Sequence, residues 1–249
     1  MSAKYTIHPL VVGSKRFDKG FMTYQQEMGT PYVIPLYAWL VLGGEKKILV
    51  DTGELRPIVS PDREEFIGAK IETIEEGLAR HGLTPEDIDI VIHTHLHRDH
   101  CENDYKFTNA TFYVHEKEME VVHDPHPLDY RYQEDFILDV EENGQIKTLS
   151  EDTEVVPGIT MIHTPAHTEG SMSVLIETAK GKALITGFCC IMDNFYPAKE
   201  VKGLGMEVIP PSTCLDLKEA YDIVLKCRDM ADIIIPLHEP KFAREGAIG

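Results

Sequence analysis

The sequence predicts an α/β fold in which two β-sheets pack together and helices lie outside them. Two observations carry this prediction. Short apolar runs rich in Val, Ile and aromatic residues recur along the chain, and segments with helical periodicity lie between them. Strand-like runs dominate the start of the chain, and helices are inserted between later runs. That order favours two packed sheets over a doubly wound parallel sheet.

Eight runs have the length and the β-branched content of strands, and most are bounded by Gly, Pro, Asn or Asp. They are VIPLYAWLVL (33–42), KKILVDTG (46–53), IDIVIHTH (88–95), ATFYVH (110–115), ITMIHT (159–164), SMSVLIET (171–178), KALIT (182–186) and DIIIPLH (232–238). The turn Ala179-Lys180-Gly181 predicts a hairpin that joins SMSVLIET to KALIT.

Two segments have the periodicity of amphipathic helices. In REEFIGAKIETIEEGLARHG (63–82), apolar residues fall on one face, and Gly82 has the position of a C-terminal cap. Thr84-Pro85-Glu86-Asp87 then has the pattern of a helix start, with a cap, a proline and acidic residues. A later helix is predicted in LDLKEAYDIVLKCRDM (215–230), whose apolar stripe is Leu217, Ala220, Tyr221, Val224 and Leu225.

Length and composition bound the function. A chain of 249 residues without repeats, low-complexity tracts or linkers predicts one domain over 1–249. The formal net charge of −18 argues against nucleic acid and anionic membranes as partners, because both attract clustered Lys and Arg. The five cysteines are scattered without a CxxC pair, which is not a disulfide framework. With neither a signal-peptide pattern nor an apolar run of about 18 residues, a cytoplasmic protein is expected.

The segment IVIHTHLHRDHCEN (90–103) carries the strongest chemical signal. An apolar strand runs directly into His95-x-His97-x-Asp99-His100, and four metal-capable side chains within six residues exceed what packing requires. If the chain turns as it leaves the strand, imidazole and carboxylate groups can converge on a zinc- or iron-type ion. A solvated histidine-rich loop is the alternative interpretation, and the position at the end of a buried strand disfavours it.

Two further segments fit the same site. TPAHTEG (164–170) places His167 in a Pro/Gly turn between two predicted strands, and IPLH (235–238) places His238 at the end of an apolar run. Either histidine alone would more often be structural or exposed. Together with the first cluster they provide enough ligands for one metal ion, or nearly two.

The motifs VDTG (50–53), HTHLHRDH (93–100), TPAHTEGS (164–171) and the final His238, in this order and spacing, resemble those of metallo-β-lactamase fold hydrolases. Within that superfamily the chain is most similar to the N-acyl homoserine lactonases, through stretches such as DYKFTNATFYVHEKEME and TPAHTEGSMSVLIET. The resemblance covers almost the whole chain. It implies an αββα sandwich of two mixed β-sheets with helices on the outer faces.

The resemblance also implies roles for individual residues. Three residues would bind a first ion and three a second, and these are His95, His97 and His167, then Asp99, His100 and His238. Asp51 would hydrogen-bond to the ligands and orient the site. The expected cofactor is zinc, as one or two ions, with manganese or iron as alternatives.

The stretch Thr186-Gly187-Phe188-Cys189-Cys190 departs from the family pattern. Phe188 stands where the family has an aspartate that bridges two metal ions, and Ile191 stands where the lactonases have a tyrosine that assists the substrate carbonyl. Phe188 cannot bind a metal, so a weaker second site or a single ion is expected.

Three interpretations of this stretch stay open. Phe188 and the cysteines are buried space-filling residues, or Cys189 or Cys190 is a thiolate ligand, or the pocket has become more apolar for a different substrate. Asp193 is a less favoured substitute ligand, because it lies five residues beyond Phe188.

The expected activity is hydrolysis of a lactone, another ester or a cyclic amide, with a metal-bound hydroxide attacking the carbonyl carbon. Asp99 would be the catalytic residue that orients the nucleophile and carries its proton to the leaving group. A small-molecule substrate is the expected partner, and a homodimer is kept as an option. The alternatives are an iron-dependent oxygenase or oxidase of the same fold, and a non-catalytic, metal-stabilised ligand-binding protein.

Some other residues lie outside these motifs. His93 shares a strand face with His95 and is either a support for the site or a core histidine. Candidate walls of the pocket are the aromatic residues Tyr130, Tyr132, Phe136, Phe195 and Tyr196.

Overall fold

Two mixed β-sheets pack against each other through a shared apolar core, as the sequence predicts. The computed structural model describes residues 4–249, and residues 1–3, which the predicted domain 1–249 includes, lie outside this range. The first sheet has the strand order β1-β2-β3-β4-β5-β6, antiparallel from β1 to β3 and parallel from β3 to β6. Its strands are β1 (Thr6–Asp18), β2 (Pro31–Leu42), β3 (Ile48–Val50), β4 (Ile90–Ile92), β5 (Thr111–His115) and β6 (Ile146–Leu149).

The second sheet has the strand order β11-β10-β9-β8-β7. Its neighbours are antiparallel except for β10 and β11, which are parallel. The predicted hairpin between β9 and β10 is present. The strands are β7 (Thr153–Val156), β8 (Ile159–His163), β9 (Met172–Thr178), β10 (Gly181–Ile185) and β11 (Ile233–Ile235).

Helices lie outside the sheets and between later strands. They are α1 (Pro61–Ile67), α2 (Ile74–Ala79), α3 (Arg98–Cys101), α4 (Glu116–His123), α5 (Leu138–Glu142), α6 (Met192–Phe195), α7 (Lys199–Lys202) and α8 (Leu217–Met230). Short 3-10 turns are formed by Lys19–Phe21, Pro85–Asp87, Asp104–Lys106, Glu134–Phe136 and Pro240–Arg244. Within residues 4–249, none of the helices combines the length and the apolarity that crossing a bilayer requires.

Strand β2 shows why the predicted run is apolar without interruption. Side chains alternate between the two faces of a strand, and Trp39 points into the core between the sheets, where Val174 of β9 also lies. Leu40 points to the opposite face and joins Leu78 of α2. A strand that is buried on both faces needs apolar residues at every position. The outer face of the second sheet is covered by α8, through residues such as Val224.

The structure corrects the predicted helix at 63–82. The chain forms two short helices there, because Gly68 ends α1 in the left-handed conformation with a φ of 80°. Thr73 begins α2 through a capping box with Glu76. The predicted helix start at 84–87 is a single 3-10 turn.

Three strands were not predicted, namely β1, β6 and β7. Strand β1 is long but mixes charged and apolar residues, and its register shifts at a bulge between Val11 and Gly13. Strands β6 and β7 lie at sheet edges, and their half-buried residues carry little apolar signal.

Candidate metal centre

The site begins where two parallel strands end at the same edge of the first sheet. Asp51 follows β3, and the segment from His93 to His97 follows the neighbouring β4. Side chains at the carboxyl ends of adjacent parallel strands converge, which is where α/β folds commonly bind ligands. Asp51 has a φ of 59°, which is uncommon for a residue other than glycine. Its backbone turns the carboxylate toward the loop after β4.

Helix α3 starts directly after His97 and carries two further predicted ligands. The remaining two come from the turn between β8 and β9 and from the segment after β11. All six side chains are buried, and they are His95, His97, Asp99, His100, His167 and His238. The sequence spans that supply them are far apart, so the sheet packing brings them together.

Three of the six histidine and aspartate side chains form a compact ligand group. The possible ligand atoms of His95, His97 and His167 lie within 4.8 Å of one another, and this is the one group of its kind in the described chain, residues 4–249. The rings are closely spaced, with centroids 4.7 Å apart for His95 and His97 and 4.9 Å apart for His97 and His167. The trio matches the residues expected for the first ion.

The donor atoms of this trio fit a metal ion. The Nε2 atom of His97 is buried without a hydrogen-bond partner, although buried polar atoms usually have one. A cation beside it would satisfy that nitrogen. Three imidazoles form a common donor set for zinc, with a further position open for water or substrate.

Hydrogen bonds at Nδ1 fix the orientation of the other histidines. The Nδ1–H group of His167 donates to the carbonyl oxygen of Thr213. The Nδ1–H group of His238 donates to the carbonyl oxygen of Pro35, at a distance of 3.0 Å. Carbonyl oxygens only accept hydrogen bonds, so Nδ1 carries the proton in both rings. The lone pair therefore lies on Nε2, which is the arrangement that metal-binding histidines usually adopt.

Burial keeps four of the five imidazoles at the site neutral, and His100 is the exception because Asp51 and Asp99 raise its pKa. Burial lowers the pKa of His95 and His97 well below the usual value, with the neighbouring histidines acting in the same direction. Burial and the charge of Arg131 lower the pKa of His167 to about 4, and burial and the charge of His100 lower that of His238 to about 3. Neutral imidazoles with free lone pairs are the form that binds cations.

Asp51 connects His100 with Thr94, the residue whose hydroxyl contacts His95. Its Oδ2 accepts hydrogen bonds from His100 Nδ1 at 2.8 Å and Thr94 Oγ1 at 2.7 Å, and its Oδ1 accepts one from the Thr94 backbone at 2.8 Å. Thr94 Oγ1 is 3.0 Å from His95 Nδ1. Burial would raise the pKa of Asp51, but His100 and His93 lower it to about 2. Asp51 is thus an ionised anchor, consistent with the orienting role that the resemblance implies.

His93 takes part in a buried hydrogen-bond network next to the histidine cluster. Its Nε2 is 2.8 Å from Asp104 Oδ2, and Thr52 Oγ1 donates to Asp104 Oδ1 at 2.7 Å. Burial would lower the pKa of His93, but the Asp104 carboxylate raises it to about 10. The ring therefore belongs to a buried ionic network under the cluster and is a structural support.

The residues expected for a second ion are arranged differently. Asp99, His100 and His238 do not form a ligand group of the kind that the first trio forms. Asp99 Oδ2 is 2.9 Å from Lys15 Nζ and 3.7 Å from His100 Nε2. Burial would raise the pKa of Asp99, but the charges of His100 and Lys15 hold it well below its usual range. The sequence pattern contains no signal for Lys15, because it lies on the unpredicted strand β1.

Glu118 is a buried carboxylate that no sequence signal distinguishes from the other acidic residues of α4. Its Oε2 accepts hydrogen bonds from the Leu96 backbone at 2.8 Å and from Tyr132 Oη at 2.9 Å. Its Oε1 accepts from Thr168 Oγ1 at 2.6 Å and from the Gly170 backbone at 3.1 Å. Leu96 lies between His95 and His97, and Thr168 follows His167. Glu118 thus joins the two segments that provide the histidine trio.

The stretch after β10 places its side chains on different sides of the chain. Phe188 is fully buried in an apolar cluster with Phe195 and α8 residues. Cys189 lines the cavity at the histidines, and burial raises the pKa of its thiol to about 11. Asp193 forms an ion pair with Lys19 at 2.8 Å and lies half exposed. The geometry of Phe188 favours the space-filling interpretation, and the correspondence with a bridging aspartate stays a prediction.

A cavity of about 320 Å³ opens onto the cluster. All six predicted ligand residues line it, together with the cationic side chains of Lys15, Arg98 and Arg131. Apolar residues complete the wall, and they are Phe17, Phe21, Met22, Ile34 and Leu128. Of the predicted aromatic walls, Tyr130 lines the cavity. Tyr132 is buried with its ring 4.6 Å from that of His97.

Sequence comparisons relate the chain to known hydrolases. A family model described as the metallo-beta-lactamase superfamily matches residues 32–187. An N-acyl homoserine lactonase of Bacillus sp is 32% identical over 206 residues, which cover 78% of this chain and 78% of the relative. A probable metallo-hydrolase of Methanocaldococcus jannaschii is 32% identical over 166 residues, which cover 67% of this chain and 64% of the relative.

The solved structures that resemble this chain also include lactone hydrolases. A quorum-quenching N-acyl homoserine lactone lactonase has a TM-score of 0.72 and 25% identity, with 96% of this chain and 93% of the other covered. An N-acyl homoserine lactone hydrolase, with the product N-hexanoyl-L-homoserine bound at its catalytic metal center, also has a TM-score of 0.72 and 25% identity. In that pair the coverage is 96% of this chain and 94% of the other.

Proposed function

The chain belongs to the metallo-β-lactamase superfamily, and from this membership we propose that it is a metal-dependent hydrolase of lactones, with other esters and cyclic amides as related substrates. The observation that carries the proposal is the buried trio His95, His97 and His167 in a chain that is 32% identical to a lactonase over 206 residues. The family match together with the 32% identity to a lactonase makes the chain a hydrolase. The substrate class and the residue roles are the proposed part.

The trio is proposed to hold a metal ion. An ion bound there would lower the pKa of a coordinated water toward neutrality and polarise the carbonyl oxygen of the substrate. Zinc suits three neutral imidazoles, and manganese or iron are alternatives. Asp51 and Glu118 keep the histidines in place through the hydrogen bonds to Thr94, Leu96 and Thr168.

Asp99 is the proposed catalytic residue. Its Oδ2 is held by Lys15 at 2.9 Å, which leaves Oδ1 to accept a hydrogen bond from the attacking water. Its lowered pKa keeps it ionised at neutral pH, so the carboxylate can orient that water, and the proton of a water acidified by the ion would stay on Asp99 only transiently. Asp99 then gives the proton to the alcohol oxygen that leaves when the ester bond of the ring breaks.

The cavity suits a lactone with an apolar substituent. Lactone hydrolysis converts a neutral ring into a carboxylate and an alcohol. Arg98, Arg131 and Lys15 place positive charge at the cavity of a chain whose net charge is −18, which favours a product carboxylate. Apolar residues such as Phe17 and Ile34 can bury the rest of the substrate.

The two alternative functions have less support. Iron-dependent oxygen chemistry commonly uses two histidines and one carboxylate, whereas the ligand group found within residues 4–249 consists of three histidines. A non-catalytic binding protein has no supporting observation among the relatives, which are hydrolases by name.

The proposal is tested with metal-reconstituted protein and a substrate panel. The panel contains lactones with and without an N-acyl chain, an aryl ester, a thioester and a cyclic amide, each assayed with zinc, manganese and iron. We expect ring opening of lactones to be the fastest reaction. The proposal is wrong if no member of the panel is hydrolysed, and tight ligand binding without turnover would favour the binding-protein alternative.

Asp99→Asn tests the catalytic role within the same assay. The amide keeps the size of the side chain but cannot accept a proton as a carboxylate does, so kcat should fall by about 10²–10⁴-fold. Asp62→Asn is the matched control, since Asp62 is an exposed carboxylate that pairs with Arg16 on the surface. An unchanged kcat in Asp99→Asn would remove Asp99 from the mechanism.

A further inference from the structure

We propose that the chain binds one metal ion, at His95, His97 and His167, and that the ammonium group of Lys15 takes the place of a second ion beside Asp99. This inference deepens the proposed function and rests on it. It assigns Lys15 as the second positive charge of the site, in the position where the motif pattern predicts a second cation.

The location of Lys15 supports this role. The residue lies on β1, opposite Ile34 of β2, and its side chain reaches the cavity that the histidines line. Its Nζ is 2.9 Å from Asp99 Oδ2, with 26% of the Lys15 side chain and 12% of the Asp99 side chain exposed. A cation at hydrogen-bond distance from a mostly buried carboxylate occupies the space that a metal ion would need on that oxygen.

The electrostatic environment is consistent with the same assignment. Lys15 lines the same cavity as the residues predicted to bind a second ion, which are Asp99, His100 and His238. A divalent cation placed among these residues would lie next to the ammonium group and be repelled by it. The ammonium group of Lys15 therefore excludes a second metal ion from this part of the cavity.

The donor set for a second ion is also incomplete. Among residues 4–249, no group of three His, Cys, Asp or Glu ligand atoms forms around Asp99. Phe188 points away into the apolar cluster beside α8, and Cys189 lines the cavity as a thiol whose pKa is raised by burial. No carboxylate from this stretch reaches the cavity to offset the charge of a second cation.

The number of bound ions tests the proposal directly. Metal-stripped full-length protein is dialysed against excess zinc, and in parallel against cobalt, and the metal per chain is measured by plasma mass spectrometry. We expect one ion per chain for the unaltered protein. We expect Lys15→Met to bind a second ion, because Asp99 loses its ammonium partner, and Lys15→Arg to stay at one because it keeps the charge.

Two matched controls make the readout specific. Lys46→Met removes a surface lysine that pairs with Asp89 and should leave the stoichiometry at one. His238→Ala should leave the stoichiometry at one in the unaltered background and should abolish the second ion in the Lys15→Met background. Circular dichroism verifies that each variant is folded.

The contrary outcomes are distinct. Two ions per chain in the unaltered protein would overturn the proposal, even if lactones are hydrolysed, and the proposed function would then stand. One ion in both the unaltered protein and Lys15→Met would overturn the role of Lys15. A protein that binds one ion, gains a second in Lys15→Met and hydrolyses nothing on the panel would support this inference and reject the lactonase activity.

Discussion

At the scale of single residues, Glu118 shows how one buried carboxylate can organise a site that it does not enter. Four donors converge on its two oxygens, from Leu96, Tyr132, Thr168 and Gly170. Burial raises its pKa, and the four hydrogen bonds oppose that change. The residue holds two segments that are far apart in sequence, so its loss should affect both folding and metal binding.

Glu118→Gln tests this positioning role. Glutamine has an NH2 group where glutamate has a second oxygen, so some of the four hydrogen-bond donors lose their acceptor. Each buried donor left without a partner destabilises the fold by about 1–3 kcal/mol. We expect the free energy of unfolding in urea to fall by about 2–4 kcal/mol. Zinc affinity should fall as well, which a purely structural carboxylate elsewhere would not cause. Glu120→Gln, an exposed neighbour on α4, is the control, and equal effects of the two variants would contradict the role.

Glu54 is a residue whose ionisation should make stability depend on pH. Burial raises its pKa from the usual 4.5 to about 7, and the Asp99 charge adds to this while Lys15 opposes it. Its Oε2 atom is buried without a hydrogen-bond partner. The folded state therefore favours the protonated form, so this contribution to stability is full below pH 4.5 and is lost as the pH rises to about 7.

Glu54→Gln should remove this loss, because glutamine stays neutral at every pH. We expect the variant to gain stability relative to the unaltered protein between about pH 5 and about pH 8, by about 1 kcal/mol after solvent screening. Thermal unfolding at both pH values measures the change, with the exposed Glu65→Gln as control. Parallel pH profiles for the two proteins would show that Glu54 is ionised in the folded state without cost.

At the scale of elements, the break between α1 and α2 depends on one glycine. Gly68 has a φ of 80°, and a Cβ atom there would clash with the Arg244 side chain. Arg244 Nε and Nη2 donate hydrogen bonds to the carbonyl oxygens of Ile67 and Phe66, both at 2.9 Å, which caps the end of α1. The helical periodicity of the segment continues across this break, so the sequence pattern alone overestimates the helix.

Gly68→Ala measures how much the end of α1 at Gly68 contributes to the free energy of unfolding. The left-handed conformation destabilises an alanine by about 1–2 kcal/mol. Displacement of Arg244 would also break its two hydrogen bonds to the end of α1. Gly82→Ala is a matched control, since Gly82 has a φ of 70° but open space around it. We expect the Gly68 variant to lose more unfolding free energy than the Gly82 variant, and equal losses would remove the Arg244 cap from the explanation.

At the scale of the whole molecule, the proposed ion would link distant parts of the chain. His95 and His97 follow a strand of the first sheet, whereas His167 lies between two strands of the second. An ion that binds the folded state and not the unfolded chain stabilises the fold by mass action.

Metal removal should therefore lower the thermal stability. At a free zinc concentration of about 100 times Kd, the fold gains about 2.7 kcal/mol, which corresponds to roughly 5–10 °C in Tm. Scanning calorimetry with zinc and with a chelator measures the shift. His97→Ala should abolish the zinc-dependent part, and His123→Ala, an exposed residue paired with Glu134, should retain it. A shift of equal size in both variants would place the ion elsewhere.

The sequence by itself determined the two-sheet architecture, the superfamily and the histidine trio. Apolar runs mark the strands, and the motif resemblance names the superfamily and the three ligand residues. The packing of the two sheets then brings His167 to His95 and His97. The resemblance also pointed to Asp51, which accepts hydrogen bonds from His100 and Thr94, and its role in orienting metal ligands stays a prediction.

Tertiary structure alone decided the partners that no motif encodes. Lys15 meets Asp99, and Glu118 meets Leu96 and Thr168, through contacts between elements that are distant in sequence. It also decided that Phe188 faces an apolar cluster while its neighbour Cys189 faces the cavity. The physical reason is that a side chain's direction at a strand end depends on the backbone after the strand and on what packs there, which one sequence does not specify.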